Sequence, residues 1–152
     1  MKTSVPISSL LHHKGPKGST VWEIQPEASV FDAIKLMADK NIGALVVASH
    51  GKLLGVFSER DYTRKIALAG KTSKQTQVKE ILSSKVITVT PDDSVEQCMK
   101  LMTENRVRHL PVLQNNKIVG IISIGDLVNW IISAQDAAIA QMEQYIAGGA
   151  TA

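Results

Sequence analysis

Residues 21–62 can be laid on residues 86–127 at a constant shift of 65 without a gap, and this repeat limits the fold more than any other feature. Identical pairs run through the whole alignment. They include Val21 and Val86, Pro26 and Pro91, Ser29 and Ser94, Lys35-Leu36-Met37 and Lys100-Leu101-Met102. Further along come Leu45 and Leu110, Val47 and Val112, Gly55 and Gly120, Ser58 and Ser123, and Asp61 and Asp126. A unit of this size has too little core to stand alone. Two copies are therefore expected to pack sheet to sheet about a pseudo-twofold axis, with equivalent segments facing each other across clefts.

Periodicity and punctuation predict the order β-α-β-β-α in each copy, an α/β (α+β) architecture. Residues 21–24 and 86–89 are short β-favouring runs that Pro26 and Pro91 end. Ser29 and Ser94 then open helices, with Val30, Ala33, Ile34 and Met37 on one face of the first and Val95, Cys98, Met99 and Met102 on one face of the second. Two strands follow in each copy, 44–48 and 53–58, then 110–113 and 118–123. Turn residues separate them, Ser49-His50-Gly51 in the first copy and Asn115-Asn116 in the second. A closing helix is expected up to Ala69, stopped by Gly70, and its counterpart from Leu127 to Ser133. The boundaries are thus 1–19 for a lead-in, 20–70 for the first unit, 71–77 for a polar linker, 78–133 for the second unit, and 134–152 for a C-terminal helix and tail. Residues 78–82 read as a short helical turn. The lead-in reads as irregular, because Pro6, Gly15, Pro16 and Gly18 interrupt it. The tail carries Ala137, Ala138, Ile139, Met142 and Ile146 at helical spacing and is expected to stop at Gly148-Gly149.

Each copy contains one segment with chemistry in it: Gly55-Val56-Phe57-Ser58-Glu59-Arg60-Asp61 and Gly120-Ile121-Ile122-Ser123-Ile124-Gly125-Asp126. An apolar strand ends at a serine, and an aspartate stands three residues on, where a helix starts. A helix start leaves orphan N–H groups beside the hydroxyl and the carboxylate, which is a seat for a nucleotide. Ser-x-x-Asp is also a capping box. One copy alone favours the cap, whereas recurrence in both lets the serines cap and bind together.

Composition narrows the classes. The fraction of hydrophobic residues, 44%, and the fraction charged, 20%, fit a globular protein without a membrane span. The first eleven residues show no signal peptide, so a cytoplasmic location is expected. Cys98 stands alone and can form neither an internal disulfide nor a CxxC site. His12 and His13 lack a third ligand at helical spacing, and no metal is expected. A net charge of +3 and only 4% aromatic residues offer neither a basic stripe nor a stacking platform for nucleic acid. No nucleophile elbow, P-loop or general base with an orienting partner is present, so an enzyme is not expected.

The tandem pattern of an apolar residue before x-Pro-x-x-Ser, then Leu-x-Val and Gly-apolar-apolar-Ser-x-x-Asp, resembles a pair of CBS domains over residues 20 to about 133. Asn41-Ile42-Gly43-Ala44-Leu45-Val46-Val47 and Arg106-Val107-Arg108-His109-Leu110-Pro111-Val112 resemble family segments closely. The chain is most similar to stand-alone bacterial CBS-domain proteins. The resemblance implies a Bateman module that binds AMP, ADP, ATP, S-adenosylmethionine or NAD(H) in two clefts as an energy or redox sensor, and that serves as a homodimer regulating an unidentified protein. No catalytic cofactor is implied.

Carried over to this sequence, the resemblance has Asp61 and Asp126 accept hydrogen bonds from the ribose hydroxyls, with Ser58 and Ser123 beside the sugar or phosphate. In the first cleft Arg60, Arg108 and His109 would meet the phosphate, and Lys85 and Val86 would border the adenine or sugar. In the second cleft Ser19, Thr20 and Val21 would enter from the lead-in. Gly43 and Ala44 would stand there in place of Arg108 and His109, and Gly125 in place of Arg60. The two clefts should then be unequal. Arg106 is left to solvent. A nucleic-acid-binding or protein-interaction subunit with no small ligand is the alternative, and a pI of about 9.0 keeps it open.

Overall fold

The computed structural model describes residues 5–13, 21–82 and 85–150. Helix α1 (Ile7–His13) precedes the first repeat. That repeat comprises β1 (Glu23–Ile24), α2 (Val30–Lys40), β2 (Ala44–Ser49), β3 (Lys52–Ser58) and α3 (Glu59–Asp61), which continues as a π-helical stretch, Tyr62–Ala67. A 3-10 turn, Val78–Ile81, leads to the second repeat: α4 (Val95–Asn105), β4 (His109–Gln114), β5 (Lys117–Ser123) and α5 (Ile124–Ala150). The two repeats form the expected α+β tandem, one sheet ordered β1-β2-β3 and the other β4-β5.

Local chemistry sets these elements. Ser29 Oγ accepts from Asp32 N at 3.0 Å and Ser94 Oγ from Gln97 N at 3.0 Å, which caps α2 and α4. Both hairpins turn through left-handed residues, His50 and Gly51 in the first repeat and Asn115 and Asn116 in the second. The ladders break at equivalent places, between Val47 and Ala48 and between Val112 and Leu113.

The sequence reading placed a strand at 86–89, but only Val89 makes a bridge, parallel to Val112. The cause is one residue. In the first repeat Val46 N donates to Trp22 O at 3.1 Å. The equivalent of Val46 is Pro111, which has no N–H, so the matching rung is missing and the strand does not extend. The closing helices differ from expectation too. The first is α-helical only to Asp61 and π-helical to Ala67. The second runs on unbroken through the tail to Ala150, past Ser133 and past Gly148-Gly149.

The largest correction concerns the lead-in. Residues 7–13 are helical, and Ile7 and Leu10 are buried in the core of the second repeat beside Val95, Cys98, Leu110, Ile122 and Leu127. Val78 and Ile81, which precede the second repeat, are buried in the core of the first beside Val30, Met37, Phe57 and Ile66. Each repeat thus completes its partner. The hydrogen bonds match one for one: Ile7 N to Asp93 O at 2.8 Å parallels Val78 N to Ala28 O at 2.9 Å, and Val95 N to Val5 O parallels Val30 N to Thr76 O. Leu11 presses on Gly120 as Leu82 presses on Gly55. A Cβ on Gly120 would meet a Leu11 methyl at 2.8 Å and one on Gly55 a Leu82 methyl at 3.2 Å, so a side chain at either position would have to displace the leucine. Burial in this core also pushes the Cys98 thiol up to about 11, with Asp93 adding to the shift, and it stays a neutral packing group.

Ile7 lies outside both repeats, yet Ile7→Ala should cost about 2–5 kcal/mol, as for a buried large-to-small change. Urea unfolding followed by circular dichroism measures this, and a loss typical of a surface position would contradict the exchange.

Candidate functional site

Ser58 ends β3 in extended conformation, and the chain turns directly into α3. Ser58 Oγ accepts from Asp61 N at 3.2 Å, while Asp61 Oδ2 accepts from Ser58 N at 2.9 Å and from Ser58 Oγ at 3.0 Å. This is a complete capping box. Ser123 and Asp126 repeat it, Ser123 N donating to Asp126 Oδ2 at 2.9 Å and Asp126 N to Ser123 Oγ at 3.0 Å. A carboxylate has about four acceptor positions, so the cap leaves Asp61 capacity for further donors. Its Oδ1 lies 3.8 Å from Lys65 Nζ, a cation held in turn by Ile81 O at 3.0 Å.

A second tie locates this helix start between the repeats. Glu59 N donates to Gly43 O at 3.1 Å, and the equivalent Ile124 N donates to Arg108 O at 2.9 Å. Each hairpin is therefore anchored by its first residues to its own strand-helix junction. The segments before β2 and β4 meet near the axis relating the repeats, where a Cβ on Gly43 would stand 3.7 Å from His109 Nε2.

Between the first junction and the second repeat lies a cleft of about 360 Å³, within the range of small-ligand sites. Ser58, Arg60, Asp61, Lys85, Val86, Arg108 and His109, which the family resemblance implies as neighbours, line it together. Gly43 lines it as well. Assigned by sequence to the second cleft, Gly43 faces the first because it sits beside the axis. Ala44 is buried in β2 opposite Ser58. Val21 is half-buried ahead of β1, and Ser19 and Thr20 lie outside the described residues. Ser123 and Asp126 stand at the other junction, where Gly125 presents no side chain.

The cleft is strongly cationic. Arg60, Lys65, Lys85, Arg106 and Arg108 face it with His109, against the two carboxylates of Glu59 and Asp61. The guanidinium of Arg60 is pushed below its ordinary value by Arg64, then by partial desolvation and by Arg108 and Arg106, while Asp61 opposes the shift. An arginine stays protonated regardless. The direction therefore records repulsion of Arg60 by neighbouring arginines, the largest share from Arg64, which does not line the cleft.

Lys65, Asn105 and Arg106 are among the lining residues that sequence reasoning missed. Lys65 could have been found as an i,i+4 partner of Asp61. Asn105 accepts from Lys85 Nζ through Oδ1 at 3.3 Å and needed the fold to be seen. Arg106, left to solvent by the sequence reading, lies at the cleft with φ of 54° at the C-cap of α4. Its equivalent is Asn41, also with φ of 54° and a residue suited to the left-handed region. An arginine there carries strain, of a kind that concentrates at functional sites.

The CBS domain profile matches residues 20–68 and 78–133. The chain belongs to the CBS domain family. It is 40% identical over 153 residues to the mitochondrial CBS domain-containing protein CBSX3 of Arabidopsis thaliana, across 96% of this chain and 74% of that one. A putative signal-transduction protein with CBS domains from Burkholderia ambifaria is 46% identical and superposes with a TM-score of 0.82, covering 86% of this chain and 96% of its own. The CBS domain pair of protein MJ0100, in complex with 5′-methylthioadenosine and S-adenosyl-L-methionine, has the same fold at 22% identity, with a TM-score of 0.73 over 86% of this chain and 98% of its own. The CBS tandem is a regulatory module. Among the described residues no helix is long and apolar enough to cross a membrane, and no cluster of His, Cys, Asp and Glu could hold a metal ion.

Arg106→Asn should relieve backbone strain and raise stability by about 1 kcal/mol while weakening binding of a multiply charged anion. Paired urea unfolding and phosphate-ligand titration check this, and lower stability with unchanged binding would contradict it.

Proposed function

We propose that this CBS pair is a regulatory module that binds an adenosine-containing nucleotide, AMP, ADP, ATP or NAD(H), in the cleft between Ser58-Glu59-Arg60-Asp61 and Arg106-Val107-Arg108-His109. The observation that carries the reading is five lysine and arginine side chains converging on a cleft beside a capped aspartate. Asp61 would take the ribose hydroxyls, a task for an acceptor-only group. Arg108 and Arg60 would hold the phosphates by charge-assisted, bidentate contacts, with His109 and Lys85 completing the ring. Val86 and Ile87 would flank the base. The MJ0100 pair supports an adenosine ligand for the fold, while the phosphate preference rests on this chain's own cations.

The two sites would be unequal. At the second junction Gly125 stands in place of Arg60, and the sequence equivalents of Arg108 and His109 are the uncharged Gly43 and Ala44, so Asp126 and Ser123 would favour an adenosine with little charge. The protein would serve as a cytoplasmic homodimer that passes ligand occupancy to a regulated partner rather than catalysing a reaction.

Isothermal titration of ATP, ADP, AMP, NAD and adenosine tests this. Affinity should rise with phosphate number. Arg108→Ala should weaken ATP binding by at least tenfold, about 1.4 kcal/mol, and adenosine binding by much less, the difference shrinking as salt is added. Equal losses for ATP and adenosine, or no binding of any of the five ligands, would reject the reading.

A further inference from the structure

Helix α5 is longer than the fold it closes. Leu127 is fully buried, and Trp130 and Ile131 still pack on the second core, but every residue from 132 to 147 is exposed. At 1.5 Å per residue that is roughly 24 Å of helix without cover. A solitary helix of that length is marginal in water, because helices in proteins are stabilised chiefly by packing one face.

The uncovered apolar side chains form a line. Val128, Ile132, Ile139, Met142 and Ile146 are 42, 48, 53, 64 and 66% exposed. With Gln135 they recur at alternating spacings of four and three, the 3.5-residue period of a coiled-coil seam. Ile132, Ile139 and Ile146 take every a position, and Val128, Gln135 and Met142 the d positions. Such a seam is complementary to another helix of the same period, and the chain itself supplies one.

Charge selects the orientation. No lysine or arginine follows Lys117, and from 132 onwards the charged residues are Asp136 and Glu143, both at e. In a parallel pair e faces g of the other helix, where Ile131, Ala138 and Tyr145 stand. In an antiparallel pair e faces e, and the carboxylates would repel. The lack of basic residues also gives an anionic membrane surface nothing to attract.

We propose that α5 pairs in parallel with α5 of a second copy of this chain along Val128, Ile132, Ile139, Met142 and Ile146, a two-stranded coiled coil that holds two CBS pairs at the same end. Gln135 faces its own copy across the two-fold axis and fixes the register, as single polar seam positions do. The inference rests on the homodimer named above and is independent of what the cleft binds.

The test uses the full chain carrying Ile132→Cys, Ile146→Cys or Gln144→Cys singly, with the buried Cys98 retained, treated with a short bis-maleimide. Ile132→Cys and Ile146→Cys should each cross-link to themselves, since parallel pairing sets each opposite its own copy, and the outward Gln144→Cys should not. Ile139→Glu should weaken self-association at least tenfold in sedimentation equilibrium. A dimer in which neither seam cysteine links to itself would overturn the seam while leaving the dimer. A monomer by light scattering, with no cross-links, would overturn both.

Discussion

Everything in this molecule depends on the exchange of two short helical segments. Ile7 and Leu10 fill the core of the second repeat, and Val78 and Ile81 fill that of the first. Neither repeat has a full core without residues that precede the other one. The exchange ties the repeats into one unit and fixes the distance between them. It also explains Gly55 and Gly120, each covered by a leucine of the exchanged segment. The cleft is a consequence, since it lies where the first strand-helix junction meets the segment entering β4, and both are anchored by backbone hydrogen bonds.

Within that frame one motif caps a helix and, in the proposed function, would also bind. Ser58 and Asp61 satisfy each other's backbone N–H groups and so end a strand and start a helix. The same hydrogen bonds hold the carboxylate still at the cleft edge, so the orientation needed for a ligand is set by the cap. The cations are arranged differently. Arg60 is disfavoured by Arg64 first and then by Arg108 and Arg106, and Arg106 adopts a backbone conformation that costs energy. Such an arrangement gains nothing for the fold, which is the physical reason to look for an anion there.

Much of this was legible in the sequence because local chemistry specifies it. The 65-residue shift, the caps at Ser29 and Ser94, the left-handed hairpin turns and the paired Ser-x-x-Asp segments depend on near neighbours. Arg108 and His109 could be put opposite Asp61 only through the family resemblance. What escaped was long-range or cumulative. Helix α1 was hidden because residues 5–11 match residues 76–82 at a shift of 71, not 65, although Pro6 followed by Ile7, Leu10 and Leu11 is a helical signature in its own right. Pro111 ended a strand from across the sheet. Nothing in the sequence signals that Gly43 lines the first cleft, because its nearness to the pseudo-twofold axis is a property of the assembled repeats.

The central claim is that the Asp61 cleft, with its unbalanced positive charge, is the nucleotide seat. A crystal structure of the protein with ADP measures this most directly. The account predicts ribose hydroxyls on Asp61 and phosphates among Arg60, Arg106 and Arg108, with the Ser58-Asp61 capping box intact and the site at Asp126 empty or weakly filled. ADP bound elsewhere, with these arginines turned to solvent, would contradict it.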